Sequence, residues 1–190
     1  MRENIVLEHP YSSLHCLPLQ GSAGDLSRHL PQKHRSLQAN LVVTSPPYPG
    51  VYVLYHRWKV QGRKETPAPY WIADSRDGYG QAHYQFGDRR HQDLRKYFQG
   101  ICDSFNAIKS LLGPAALVVQ MVAFSDPSWQ VSRYLEAMHG AGYDEIMPEA
   151  LGIEHEDRIW RDVPGRKWYA AIHGGLSTSK EVVLFHRPRT

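Results

Sequence analysis

The stretch of this sequence best equipped for chemistry is Thr44-Ser45-Pro46-Pro47-Tyr48-Pro49. It gathers a hydroxyl, two rigid imide residues and a flat aromatic ring within four positions. Consecutive prolines hold the backbone extended, and Pro47 lacks an N–H, so the carbonyl groups around Pro46 are left as fixed acceptors. Ser45 can donate or accept a hydrogen bond, and Tyr48 offers a ring face. Such a set suits a planar group that carries an NH2. The carbonyl and the hydroxyl accept its two N–H bonds, and the ring stacks on its face. Accepting both hydrogens leaves electron density on the nitrogen and favours its attack on an electrophile. Stacking needs the ring and not its hydroxyl, so the phenol oxygen of Tyr48 is expected to be dispensable. The plain alternative is a proline-rich turn that ends a strand, with Tyr48 covering the core.

The neighbouring elements decide between these readings. Leu41-Val42-Val43-Thr44 is a short, β-branched strand that must stop at the prolines. Leu94, Phe98, Ile101, Phe105, Ile108 and Leu112 recur at alternating spacings of four and three, which predicts a helix over His91 to Leu112, ended by Gly113-Pro114. Ala116 to Val122 reads as a strand buried on both faces. A second helix opens with Ser125 or Asp126 as N-cap and Pro127 at the first position, and ends at glycines 140 and 142. Tyr143 to Met147 and Glu181 to His186 read as further strands. This order predicts an α/β sandwich with a mainly parallel sheet, which places the proline motif at a strand's carboxyl end, where ligands of open α/β sheets bind. Only about four strands are convincing, fewer than a full doubly wound domain needs, so residues 1–190 read as one partial domain.

Leu41-Val42-Val43-Thr44-Ser45-Pro46-Pro47-Tyr48 resembles the catalytic motif of the S-adenosylmethionine-dependent DNA amino-methyltransferases, which modify cytosine N4 or adenine N6. Gly21-Ser22-Ala23-Gly24-Asp25-Leu26 is similar to the Gly-Asp-Ala segment that precedes that strand in the family. Ile108 to Val119 is similar to its helix-turn-strand, and Lys180 to Pro188 to its final Glu-Tyr-Ile-Leu-Val-Phe strand. The resemblance implies a Rossmann-like methyltransferase sandwich, S-adenosylmethionine as cofactor, and a flipped DNA base held by Ser45, Pro46, Pro47 and Tyr48. It implies a place near the cofactor adenine for Ser22, with Asp25 as a substitute acid. Ser at the first motif position is more typical of cytosine-N4 enzymes, and Asp of adenine-N6 enzymes. The family's Asp-Pro-Phe-x-Gly-x-Gly cofactor loop is not found in the 190 residues. The chain therefore resembles the catalytic half alone, with the loop on a second chain or lost, and is expected to bind S-adenosylmethionine weakly by itself. Rival readings are an adenine-N6, RNA or protein amine methyltransferase and, from another class, a non-catalytic DNA-binding remnant or subunit.

Residues 49–91 form a long polar excursion immediately after the motif. Seven Lys and Arg residues outnumber four acids there, an excess equal to the +3 net charge of the whole chain. Eight of the chain's 21 aromatic residues lie in the same segment. Cations for phosphates interleaved with rings for unstacked bases suit nucleic acid, and Arg57, Lys59, Arg63 and Lys64 are the candidate DNA contacts. A solvated flap with its own small aromatic core is the alternative. The balanced charges of Glu154 to Lys167 read as a solvated face.

A hydrophobic content of 42% against 22% charged residues excludes a disordered or collagen-like chain. The sequence shows neither an apolar run of membrane-spanning length nor a signal-peptide pattern, so a cytoplasmic protein is expected. Cys16 and Cys102 are too isolated for a disulfide framework or a cysteine zinc site, and the eleven histidines show no metal-ligand spacing, so no metal is expected. Taken together, a restriction-modification type of DNA methylation is the expected setting.

Overall fold

A computed structural model describes residues 17, 19, 21–36, 38–50, 52–53, 83–84, 94–162 and 180–189. In chain order the elements are α1 (Leu26–His29), β1 (Ala39–Thr44), β2 (Tyr52–Val53), β3 (His83–Tyr84), α2 (Arg95–Lys109), β4 (Leu112–Phe124), α3 (Pro127–Gly140), β5 (Tyr143–Ile146), β6 (Ile159–Asp162) and β7 (Lys180–Pro188). The α/β class expected from the sequence is what the chain adopts.

The main sheet has the order β1-β4-β7-β5, with β6 also paired to β7. Its directions correct one expectation. Only β1 and β4 form a parallel pair, whereas β7 runs antiparallel to β4, β5 and β6. The physical reason lies in the order of insertion. The last strand enters between β4 and β5 and runs against both, and an apolar run carries no sign of its direction. Along that side of β7, β5 covers Phe185 to Pro188 and β6 covers Lys180 to Val183, so the two behave as one interrupted strand.

One face of the sheet carries the core. Alternation along β4 sends Ala116, Val118, Val122 and Phe124 to the same side, where they meet Tyr97, Phe98, Ile101 and Phe105 of α2 and Val131, Tyr134 and Met138 of α3. The predicted start of the first long helix at His91 lies outside the described residues; the described helix opens at Arg95. Leu94 precedes it with φ +48°, a left-handed conformation that costs a leucine roughly 1–2 kcal/mol. Its side chain is buried in the core, worth about 2 kcal/mol, which offsets the strain.

The predicted end of that helix is corrected as well. Leu112 is not its last turn but the first residue of β4, and Gly113-Pro114 lies inside the strand. The register jumps there, from Ala39 opposite Leu112 to Leu41 opposite Leu117. Pro114 is tolerated because it falls in this irregular stretch, where no regular ladder needs its missing N–H. The second helix follows the prediction closely. Asp126 accepts from the Ser128 amide at 3.2 Å, Pro127 takes the first position, and Gly142, with φ +86°, donates to the His139 carbonyl just past the end.

The opposite face is barer. Leu117, Val119, Met121 and Val183 are half-buried, and on the outer strand Leu41 and Val43 are exposed. Among the described residues of the 49–91 excursion, β2 and β3 form an antiparallel stem with Tyr52 opposite Tyr84.

Candidate functional site

The strand directions gather four chain ends at one rim of the sheet. The carboxyl ends of β1, β4 and β6 meet the amino end of β7 there, with Ala123 and Arg161 both opposite Glu181. The Ser45-Pro46-Pro47-Tyr48 loop leaves β1 at this rim. Pro46 is buried, Pro47 and Tyr48 are half-buried, and Ser45 is exposed. Two prolines therefore clamp a loop whose reactive groups stay near solvent.

Each polar group of the loop has a definite state. The Ser45 hydroxyl donates to the Met121 carbonyl of β4 at 3.0 Å. Its only proton is thus spent inside the sheet, and its lone pairs remain as acceptors. Among the described residues no backbone amide is bonded to the Pro46 carbonyl. Tyr48 packs against the core cluster, and its hydroxyl donates to Oε1 of Glu181 at 3.1 Å. Glu181 is itself 5% exposed, and its Oε2 accepts from Nε of Arg161 at 2.5 Å. Arg161 keeps most of its side chain in solvent. The rim thus offers fixed acceptors beside an aromatic ring, and the ring is tied to a buried carboxylate.

Glu181 and Arg161 escape a reading of the sequence. Glu181 stands 133 positions from Tyr48 at the head of an apolar strand. Arg161 lies in the balanced run Glu154 to Lys167, which reads as a solvated face yet contains β6. That run hides its strand because its charges are matched across the sheet. Arg161 pairs with Glu181, and Arg158 grips Glu145 with two bonds of 2.6 and 2.8 Å. The hydrogen bonds to Glu145 hold the Arg158 guanidinium even more firmly protonated than usual.

A second polar cluster lies one layer deeper. Gln120 of β4, fully buried, accepts from the Tyr134 hydroxyl of α3 and stands 3.2 Å from Nδ1 of His186 on β7. Its amide also reaches Sδ of Met138 at 3.7 Å. Burial drives the His186 pKa down to about 4, with Glu145 opposing and Arg158 assisting, so the ring is neutral at ordinary pH. Burial also raises the Tyr134 phenol well above its usual range, and Tyr97 beside it adds to the rise.

The other candidate residues are placed as follows. Ser22 accepts from the Gly24 amide at 3.3 Å, and Asp25 pairs with Arg28 at 3.0 Å. Both side chains are engaged by their own turn. Arg57, Lys59, Arg63 and Lys64 lie outside the described residues. No group of His, Cys, Asp and Glu that could hold a metal occurs among the described residues, and no described helix is long and apolar enough to cross a membrane.

No family model and no curated protein matches the chain. Among solved structures it is similar to a candidate DNA modification methylase from Thermus thermophilus, at 15% identity and a TM-score of 0.42, covering 90% of this chain and 51% of that one. The form of that protein complexed with S-adenosyl-L-methionine gives 17% identity and the same TM-score, covering 90% and 54%. The chain thus spans about half the length of the structures it matches.

Proposed function

We propose that this chain supplies the acceptor side of an S-adenosylmethionine-dependent DNA methyltransferase, receiving the exocyclic amine of a flipped base, cytosine N4 before adenine N6. The observation that carries this is the state of Ser45. Its hydroxyl is already donating to Met121, so it meets an incoming NH2 as an acceptor. The Pro46 carbonyl is the second acceptor, Pro47 keeps that carbonyl rigid, and the Tyr48 ring stacks on the base. With both N–H bonds engaged, the amine nitrogen is held with its lone pair directed away from the loop. The proton that nitrogen sheds after methylation leaves to solvent through the exposed rim.

The methyl donor is S-adenosylmethionine in this reading. Ser22 and Asp25 remain as proposed contacts to its adenine. Arg57, Lys59, Arg63 and Lys64 are proposed to hold phosphates, since they follow the motif directly along the chain.

The test separates amine recognition from methyl transfer. Labelled oligo-deoxycytidine presents an exocyclic NH2 to this site, where oligo-thymidine presents a carbonyl oxygen. The chain is expected to bind the cytidine strand several-fold more tightly, and Ser45→Ala is expected to narrow that preference. Equal affinity for the two strands in the wild-type chain would contradict the reading.

A further inference from the structure

Resting on the base-binding reading above, we propose that Glu181, anchored by Arg161, is the positioning residue that sets the orientation of the Tyr48 ring. A carboxylate on β7 is out of place by composition. It precedes Val182-Val183-Leu184-Phe185, and it is buried at the edge of an apolar sheet, where an unpaired charge would be strongly disfavoured. Two donors meet it from opposite sides. Arg161 comes from β6, directly opposite Glu181 in the antiparallel register, and Tyr48 comes from the loop after β1.

The arrangement has a direction. The mostly solvated Arg161 supplies the counter-charge to the Glu181 carboxylate inside the sheet. Glu181 in turn presents a fixed acceptor to a hydroxyl at the far end of the Tyr48 ring. Packing against the core already limits the Tyr48 ring, and fixing the phenol oxygen as well narrows its two side-chain torsions further. A stacking platform gains from such preorganisation, because a base then meets a ring already in place. The hydroxyl of Tyr48 is therefore not dispensable, contrary to what stacking alone suggests. Its role is to hold the ring and not to touch the base.

Binding of labelled oligo-deoxycytidine by the full chain provides the test, with the folded fraction of every variant measured on the same samples. Tyr48→Phe keeps the ring and removes the hydroxyl that bonds Glu181. It is expected to weaken binding about tenfold, the usual scale of a hydrogen bond to a charged group. Glu181→Ala is expected to weaken it by a similar factor, and the double variant by no more than either alone, because both remove one interaction. Glu181→Gln retains an acceptor for the hydroxyl and is expected to recover part of the loss. Should Glu181→Ala fold poorly, Tyr48→Phe and Glu181→Gln carry the comparison alone. Wild-type binding by Tyr48→Phe, or factors that multiply in the double variant, would overturn the positioning role while leaving base binding intact. A wild-type chain that does not distinguish cytidine from thymidine strands would remove the base-binding reading and this inference together.

Discussion

Two polar clusters share strand β7, and they solve the cost of burial in opposite ways. The inner one, Tyr134, Gln120 and His186, is built of groups that are neutral at ordinary pH, and burial keeps the imidazole so. The rim cluster, Tyr48, Glu181 and Arg161, keeps a buried carboxylate charged by carrying a cation out into solvent. The inner groups are fully buried, and the Tyr134 hydroxyl bond to Gln120 ties α3 to the sheet. The rim groups lie beside the end of β1, where Ser45 and Arg161 are exposed. Similar residue types are thus kept neutral in one place and paired with a solvated cation in the other.

Acid should break the comparison most sharply. The folded His186 pKa lies near 4 and its unfolded value near 6.5, so the unfolded chain binds the extra proton in that interval. Stability contributed by the neutral ring is complete above about pH 6.5 and is lost as pH falls to about 4, by about 3 kcal/mol in all. Urea unfolding at a series of pH values should show this loss, and His186→Gln should lose less over the same window. Superimposable pH profiles for the two proteins would show that the ring is not held neutral by the fold.

A smaller effect comes from making one chemical change in both clusters. Tyr134→Phe strands the buried Gln120 carbonyl and should cost about 2 kcal/mol. Tyr48→Phe leaves Glu181 with Arg161 and a nearby solvent rim, and should cost stability about 1 kcal/mol or less. Melting curves of the two variants check the order; a reversed order would mean that the rim cluster is the structural one.

What the sequence disclosed and what it hid follow the same division. Apolar periodicity showed α2, the buried strand β4 and the capped start of α3, because those signals are local and each is set by neighbours within a turn or two. The Pro46-Pro47 stop located the loop after β1 for the same reason. Strand direction was hidden, since Glu181 to Phe185 reads alike in either orientation and only the insertion of β7 between β4 and β5 decides it. Strand β6 was hidden by Arg158 and Arg161, whose partners Glu145 and Glu181 lie 13 and 20 positions away across the sheet. The motif itself was legible, but the carboxylate that holds Tyr48 was not. Its link spans almost the whole fold and leaves no periodic trace.

Whether the Ser45 to Tyr48 rim receives a base is addressed directly by one paired measurement. Oligo-deoxycytidine binding and melting temperature are determined on the same samples of wild type, Tyr48→Ala and Tyr134→Phe. Losing the stacking face should cost roughly 1–3 kcal/mol of binding, about one to two orders of magnitude in affinity, per folded molecule of Tyr48→Ala. Tyr134→Phe should melt earlier and, where folded, bind as the wild type does. If Tyr48→Ala instead only melts early while its folded fraction binds the strand with wild-type affinity, Tyr48 is a core residue and the rim is not a base-binding site.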